Sequence, residues 1–274
     1  MTEPRAFIAD GSPRLHCLEW NPGGPDTILL LHGNSANAWW WAPMAESMPS
    51  NYRLIAIDLR GHGDSEWVRP PAYGPCDHAH DLARLIDTLG LGRPIVAGHS
   101  MGGIAVTAFT RDYPLIARAA IAIDIAVRSS TARNRFLQRL KVLPTVNYQD
   151  LATAIARYRL MPNEGGVASE VMAEIARLSV RQTSDGRYTM KFDRESFYGG
   201  DGIDAEAALA KVQIPTLLIR GGLSRIMTQE AAVRAAGSNP LIKLEVIEGG
   251  HHHLPLECPG GLAAIISRFV AQFD

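Results

Sequence analysis

Residues 94–103 read Pro94-Ile95-Val96-Ala97-Gly98-His99-Ser100-Met101-Gly102-Gly103, and they decide the fold. The apolar run 95–97 predicts a short buried strand, and 101–113 predicts a helix. Between them stands a G-x-S-x-G pentapeptide, residues 98–102. Taken alone it is a modest signal: with 25 glycines in the chain, chance supplies one such pattern in roughly ten chains of this size. The context carries the meaning. A strand running into this pentapeptide and out into a helix is a nucleophile elbow. The serine sits on a turn so tight that side chains two positions to either side would collide, and Gly98 and Gly102 relieve that crowding. The helix start behind Ser100 supplies partial positive charge where an oxyanion would form.

Strand and helix signals alternate outward from this point. Residues 6–9 and 15–19, split by Asp10-Gly11-Ser12-Pro13, predict a hairpin. Residues 27–31 are apolar after Thr27, as expected of a parallel strand covered on both faces. A helix over 36–48, a strand over 54–58, a helix over 78–89 (Leu82, Leu85, Ile86 and Leu89 on one face) and a strand over 119–123 continue the order. From 129 to 204 the sequence shows helical stretches and no convincing buried strand. Alternation returns with a strand at 216–219, a helix at 229–236, a strand at 241–247 and a helix at 261–273. The expected fold class is therefore α/β, a mostly parallel doubly wound sheet. Residues 1–128 and 205–274 form its core, and 129–204 are a helical cap inserted over the ligand crevice at the C-terminal strand ends.

Composition narrows the function classes. The 274 residues are 46% hydrophobic and 20% charged, with a net charge of -1. Nothing in that balance favours nucleic acid or an anionic membrane as a partner. Cys17, Cys76 and Cys258 are widely spaced and odd in number, against both a disulfide framework and a zinc site. No apolar h-region opens the chain and no run approaches the ~20 apolar residues of a membrane span, so a cytoplasmic protein is expected.

Several residues join Ser100 as candidates. Leu31-His32-Gly33-Asn34 ends the first parallel strand, and in this chemistry a main-chain N–H from that loop completes the oxyanion hole. The expected donors are the N–H groups of Asn34 and Met101; His32 is read as a buried structural imidazole. After the last strand comes Glu248-Gly249-Gly250-His251-His252-His253. His251 follows directly on the turn glycines and is the expected general base. Three adjacent histidines cannot all face one ion, so no metal is expected. Of Trp39, Trp40 and Trp41, consecutive on a helix, only one or two can line a pocket; Trp39 is the candidate. Asp58, Arg60, His62 and Asp64 are read as a structural loop.

Taken together, LHGN (31–34), IDLRGHGDS (57–65), AGHSMGG (97–103) and EGGHH (248–252) resemble the α/β-hydrolase superfamily of esterases, lipases, lactonases, C–C hydrolases and amide-cleaving relatives. The resemblance implies a Ser–acid–His chain order and a small-molecule substrate, without a cofactor. Members usually carry the acid in the loop after the strand corresponding to 216–219, where this chain has Ser224-Arg225. Some members carry it after the sixth strand instead, and Asp124, ending 121–123, fits that subtype; Glu230, Asp201 and Asp204 are the reserves. Arg133, Arg135, Arg139, Arg157 and Arg159 make the cap basic, which suits a carboxylate-bearing substrate. The expected reaction is cleavage of an ester, lactone or amide through an acyl-enzyme. A C–C hydrolase, a cofactor-free oxygenase, an acyltransferase or a slow-turnover receptor are the alternatives on the same site.

Overall fold

The computed structural model describes residues 3–128, 130–197 and 203–273. Ten strands are present among them: β1 (Arg5–Ala9), β2 (Leu15–Trp20), β3 (Asp26–Leu31), β4 (Tyr52–Ile57), β5 (Ile95–His99), β6 (Ala119–Ile123), β7 (Val180–Gln182), β8 (Tyr188–Met190), β9 (Thr216–Gly221) and β10 (Ile242–Ile247). Eight of them form one sheet in the order β1-β2-β4-β3-β5-β6-β9-β10. The β1–β2 and β2–β4 pairs are antiparallel, and β4, β3, β5, β6, β9 and β10 pair in parallel.

The central strands are apolar throughout because helices cover both faces. Their side chains alternate between two cores, as a period of two requires. Ile28, Leu30, Ile95, Ala97 and Ile121 face a core completed by Trp41, Met44, Leu262 and Ile266. Leu29, Leu31, Val96 and Ala120 face the other, completed by Leu82, Leu85, Val106 and Phe109. The second group comes from the helices Pro75–Thr88 and Met101–Asp112. Burying a side chain of this size stabilises the fold by about 1.5–3 kcal/mol.

Two local expectations are corrected. The helix expected over 36–48 is a 3-10 turn, Ala38–Trp41, followed by a short α-helix, Ala42–Ala45. Pro43 lacks the N–H that a continuous helix would use there, so it falls in the first turn of a new one. The stretch 129–204 is also not wholly helical. It holds the helices Thr131–Lys141, Leu151–Arg157 and Ser169–Leu178, but also an antiparallel β7–β8 ladder. These strands are three residues each and partly exposed, so they lack the apolar run by which a buried strand is read. The expected start of this region, Ser129, lies outside the described residues.

All these elements lie between β6 and β9 and outside the large sheet, over its C-terminal edge. They seat on it through a small apolar cluster of Trp40, Tyr158, Leu160, Ile175 and Leu256. Trp40 Nε1 donates to Tyr158 Oη at 3.2 Å, and Asn37 Nδ2 donates to Ser179 Oγ at 3.0 Å. Among the described residues no helix is long and apolar enough to cross a membrane.

Candidate active site

Ser100 joins β5 to the Met101–Asp112 helix with φ 53 and ψ -115. A non-glycine residue in this region costs of order 1–3 kcal/mol and persists only where its surroundings over-determine it. Here they do. Ser100 N–H donates to Ile123 O on the neighbouring strand at 2.9 Å, and Gly102 N–H donates to His32 O at 3.1 Å. A Cβ on Gly98 would lie 2.3 Å from the Gly102 carbonyl, and one on Gly102 would lie 2.4 Å from Leu31 O. The two glycines are therefore required by main-chain contact.

His252 Nε2 lies 3.0 Å from Ser100 Oγ. This corrects the expectation of His251. Its ring is about one-third exposed and faces Glu257, with Nδ1 3.2 Å from Oε2. The reason is how the loop leaves β10. Gly250 N–H donates to Ile247 O at 3.1 Å, which closes the glycine turn. Glu257 then accepts the N–H of His251 on one carboxylate oxygen and that of His253 on the other, both at 2.9 Å. Held by its two neighbours, the chain turns the His252 side chain inward. His253 goes under the cap, where its Nε2–H donates to Pro162 O at 2.7 Å.

Asp124 ends β6 fully buried, in the left-handed region with φ 45. Its Oδ2 accepts Gly221 N–H at 3.1 Å and its Oδ1 accepts the Ser224 hydroxyl at 2.8 Å. His252 Nδ1 stands 3.7 Å from that Oδ1, ion-pair range but beyond a hydrogen bond, and has no hydrogen-bond partner among the described residues. The reserves lie elsewhere. Glu230 is exposed and paired with Arg234, Asp204 lines the cavity but caps the Ala205–Leu209 helix, and Asp201 lies outside the described residues.

A cavity of about 640 Å³ opens above Ser100. Ser100, His252, Asn34 and Met101 form its floor, and the cap residues Arg133, Phe136, Leu137 and Met161 form much of its roof. Met101 begins its helix, so its N–H is one of the end groups left without an intrahelical acceptor. Of the five candidate arginines only Arg133 reaches the cavity; Arg135, Arg139, Arg157 and Arg159 are exposed and do not line it. Arg133 is half-buried, burial pushes its pKa down, and among the described residues no carboxylate pairs with its guanidinium. Trp39 is also corrected. It is half-buried against the cores and does not line the cavity, while Trp40 stacks on His99 at 6.3 Å between ring centroids.

The polar residues of 57–65 hold the loops that support the floor. His32 Nδ1–H donates to Gly33 O and its Nε2 accepts Leu59 N–H; burial lowers its pKa and keeps it neutral. Asp58 accepts the N–H groups of Ala38 and Asp64 and pairs with His16. A second histidine group escaped the sequence. His99, His252 and His253 each bring one ring nitrogen within 4.8 Å of the other two. The trio differs from 251–253, because His99 reaches it from the end of β5. Its Nε2–H donates to His252 O at 2.8 Å. Burial pushes the pKa of His99 well down and that of His253 to about 4, so both rings are neutral supports for His252.

Residues 28–265 match the model of the alpha/beta hydrolase family. The chain belongs to that family. The chain is similar to 2-(acetamidomethylene)succinate hydrolase of Mesorhizobium japonicum, 26% identical over 255 residues, covering 90% of this chain and 89% of the relative. It is also similar to monoacylglycerol lipase abhd6-B of Xenopus laevis, 23% identical over 267 residues, covering 92% of this chain and 77% of the relative. Among solved structures, E-2-(acetamidomethylene)succinate hydrolase superposes with a TM-score of 0.85 at 24% identity, covering 98% of this chain and 100% of the other. That likeness concerns the fold. Family membership and a cavity of this size support an enzyme, a hydrolase, with a small-molecule substrate.

Proposed function

We propose that the chain is a serine hydrolase that cleaves an ester or amide bond of a small molecule through an acyl-enzyme, with Ser100 as nucleophile, His252 as base and Asp124 as acid. The contact of 3.0 Å between Ser100 Oγ and His252 Nε2, on a strained elbow at the floor of the cavity, carries this reading. Nε2 accepts the hydroxyl proton, so in the neutral ring the remaining proton is on Nδ1, on the side of Asp124. As Oγ attacks the substrate carbonyl, His252 takes its proton and becomes a cation beside the Asp124 carboxylate. The main-chain N–H groups of Asn34 and Met101 stabilise the oxyanion. The intermediate collapses as His252 returns the proton to the leaving oxygen or nitrogen. Water then attacks the acyl-enzyme with His252 again as base.

The test is a fluorophosphonate probe together with a pre-steady-state burst on a p-nitrophenyl ester. The wild type should be labelled and should show a burst; Ser100→Ala should show neither and should lose on the order of 10³-fold or more in kcat. Labelling without turnover would favour a receptor on the same fold, and unimpaired Ser100→Ala would sink the mechanism.

Arg133 favours one refinement, a substrate that carries a carboxylate. A half-buried guanidinium facing the cavity without a carboxylate partner among the described residues is suited to a bidentate anion contact. The succinate derivatives in the name of the Mesorhizobium relative are of that class. Arg133→Gln should raise KM for an anionic ester and leave its neutral analogue little changed.

A further inference from the structure

We propose that His99, His252 and His253 form a site for Zn²⁺, and that an ion bound there switches the enzyme off by taking the base away from Ser100. The inhibitory half rests on the triad reading above; the binding half does not. The three rings come from two places, the end of β5 and the loop after β10. Each brings one nitrogen within 4.8 Å of the other two. All three side chains are almost fully buried. The objection that three adjacent rings cannot share an ion does not apply, because His99 stands here in place of His251.

Hydrogen bonding decides which nitrogens carry lone pairs. His99 Nε2 bonds to His252 O and His253 Nε2 bonds to Pro162 O. A carbonyl only accepts, so in each neutral ring the proton is on Nε2 and the lone pair on Nδ1. Both Nδ1 atoms are buried and have no hydrogen-bond partner among the described residues. In His252 the lone pair is on Nε2, which accepts the Ser100 hydroxyl at 3.0 Å. Three neutral rings therefore offer three lone pairs, and no proton has to leave. A metal-ligating histidine almost always aims its other ring N–H at a carbonyl or carboxylate. All three rings here do so: His99 toward His252 O, His253 toward Pro162 O, and His252 toward the Asp124 carboxylate at 3.7 Å.

Imidazole nitrogens suit Zn²⁺ and Cu²⁺, whereas Mg²⁺ takes oxygen ligands. A tetrahedral zinc ion holds its nitrogen ligands about 3.4 Å apart, so the widest gap in the trio closes by about 1.4 Å, shared among three side chains. His252 lines the cavity, which gives an ion its path in. The fourth position is then open to water or to Ser100 Oγ. Once the Nε2 lone pair of His252 is on the ion, it no longer takes the serine proton, and a chelator that removes the ion returns the base.

The experiment has an activity arm and a binding arm, both on the full chain. Zn²⁺ should inhibit hydrolysis of one p-nitrophenyl ester, EDTA should restore it, and Mg²⁺ should do nothing. His99→Gln and His253→Gln keep an N–H donor near the place of Nε2 and lose the ligand. In each, the Zn²⁺ concentration for half-inhibition, taken against that variant's own uninhibited rate, should rise about 10-fold or more. The binding arm uses Cu²⁺, which quenches tryptophan fluorescence at short range. Trp40 lies 5.5 Å from His253 and 6.3 Å from His99 between ring centroids. Cu²⁺ should quench the wild type and Ser100→Ala alike, and both glutamine variants far less. Cys76→Ser, which removes an exposed thiol able to bind the same ions, should behave as wild type in both arms. Inhibition and quenching that survive both glutamine variants, or that vanish in Cys76→Ser, overturn the site. Quenching of the wild type without inhibition overturns the switch. Full activity in Ser100→Ala overturns the triad reading and the inhibitory half with it, while quenching in that variant still decides the binding half. Thermal melts verify folding; should one glutamine variant not fold, the other decides.

Discussion

The floor and the roof of the cavity are built on opposite principles. The floor is the end of β3, β5 and β6, where Leu31, His99 and Ile123 are almost completely buried and the turns are pinned by main-chain hydrogen bonds. Two of its residues, Ser100 and Asp124, hold positive φ angles. The roof helix Thr131–Lys141 has no buried residue, and Phe136, which lines the cavity, is half exposed. Strain can be stored only where packing over-determines the backbone, so the floor can hold reacting atoms in place. The roof, with few contacts to lose, can change its side chains at little cost in stability. In the proposed mechanism, chemistry belongs to the first region and substrate choice to the second.

That contrast is most severely tested by the histidines. His252→Ala should lower kcat on the order of 10⁴-fold, as loss of a triad base does. His251→Ala should cost less than about fivefold, the scale of a partly exposed polar contact such as the one it makes with Glu257. Steady-state kinetics on one ester checks both; equal losses would mean that the loop acts as a unit and that the assignment within it is unfounded.

The next effect is on stability. Gly102→Ala places a Cβ against Leu31 O and His32 O, which are main-chain atoms of the floor. It should destabilise by about 3 kcal/mol, read in urea melts, whereas Gln138→Ala on the exposed roof helix should stay within about 0.5 kcal/mol. A floor that accepts the methyl group without loss is not the rigid body described above.

The seam between the two regions should respond to acid. His253, hydrogen-bonded to Pro162 of the cap, has its pKa lowered to about 4 from an ordinary 6.5 because burial disfavours its charge. The unfolded chain takes up that proton first, so the contribution is complete above pH 6.5 and is lost as pH falls toward 4. About 3 kcal/mol disappears over that window. Equilibrium unfolding at several pH values should show it, and His253→Gln should flatten the curve; an unchanged slope would remove His253 from the seam.

The smallest effect is on the roof. Arg133→Gln should raise KM for an anionic ester about 10-fold and leave kcat near wild type. Arg135→Gln, Arg139→Gln, Arg157→Gln and Arg159→Gln, all outside the cavity, should leave both constants alone. A fall in kcat as large as that of a floor variant would break the division between chemistry and selection.

What the amino-acid sequence determined is what depends on near neighbours. Ser100 was legible because the crowding that demands Gly98 and Gly102 acts within five residues. The sheet was legible because burial on two faces leaves apolar runs at 28–31, 95–97 and 119–123. The absence of an acid at 224–225 was visible too, and with it the interest of Asp124. Tertiary structure alone decided which of three consecutive histidines meets Ser100, because the answer lies in a carboxylate six residues on, Glu257, that takes the N–H groups on either side of His252. It alone singled out Arg133 from the five candidate arginines, since exposure follows from how the helix lies over the cavity and not from charge. It also supplied Ser224 as the support of Asp124. That bond joins residues 100 positions apart, and only the pairing of β6 with β9 brings them together.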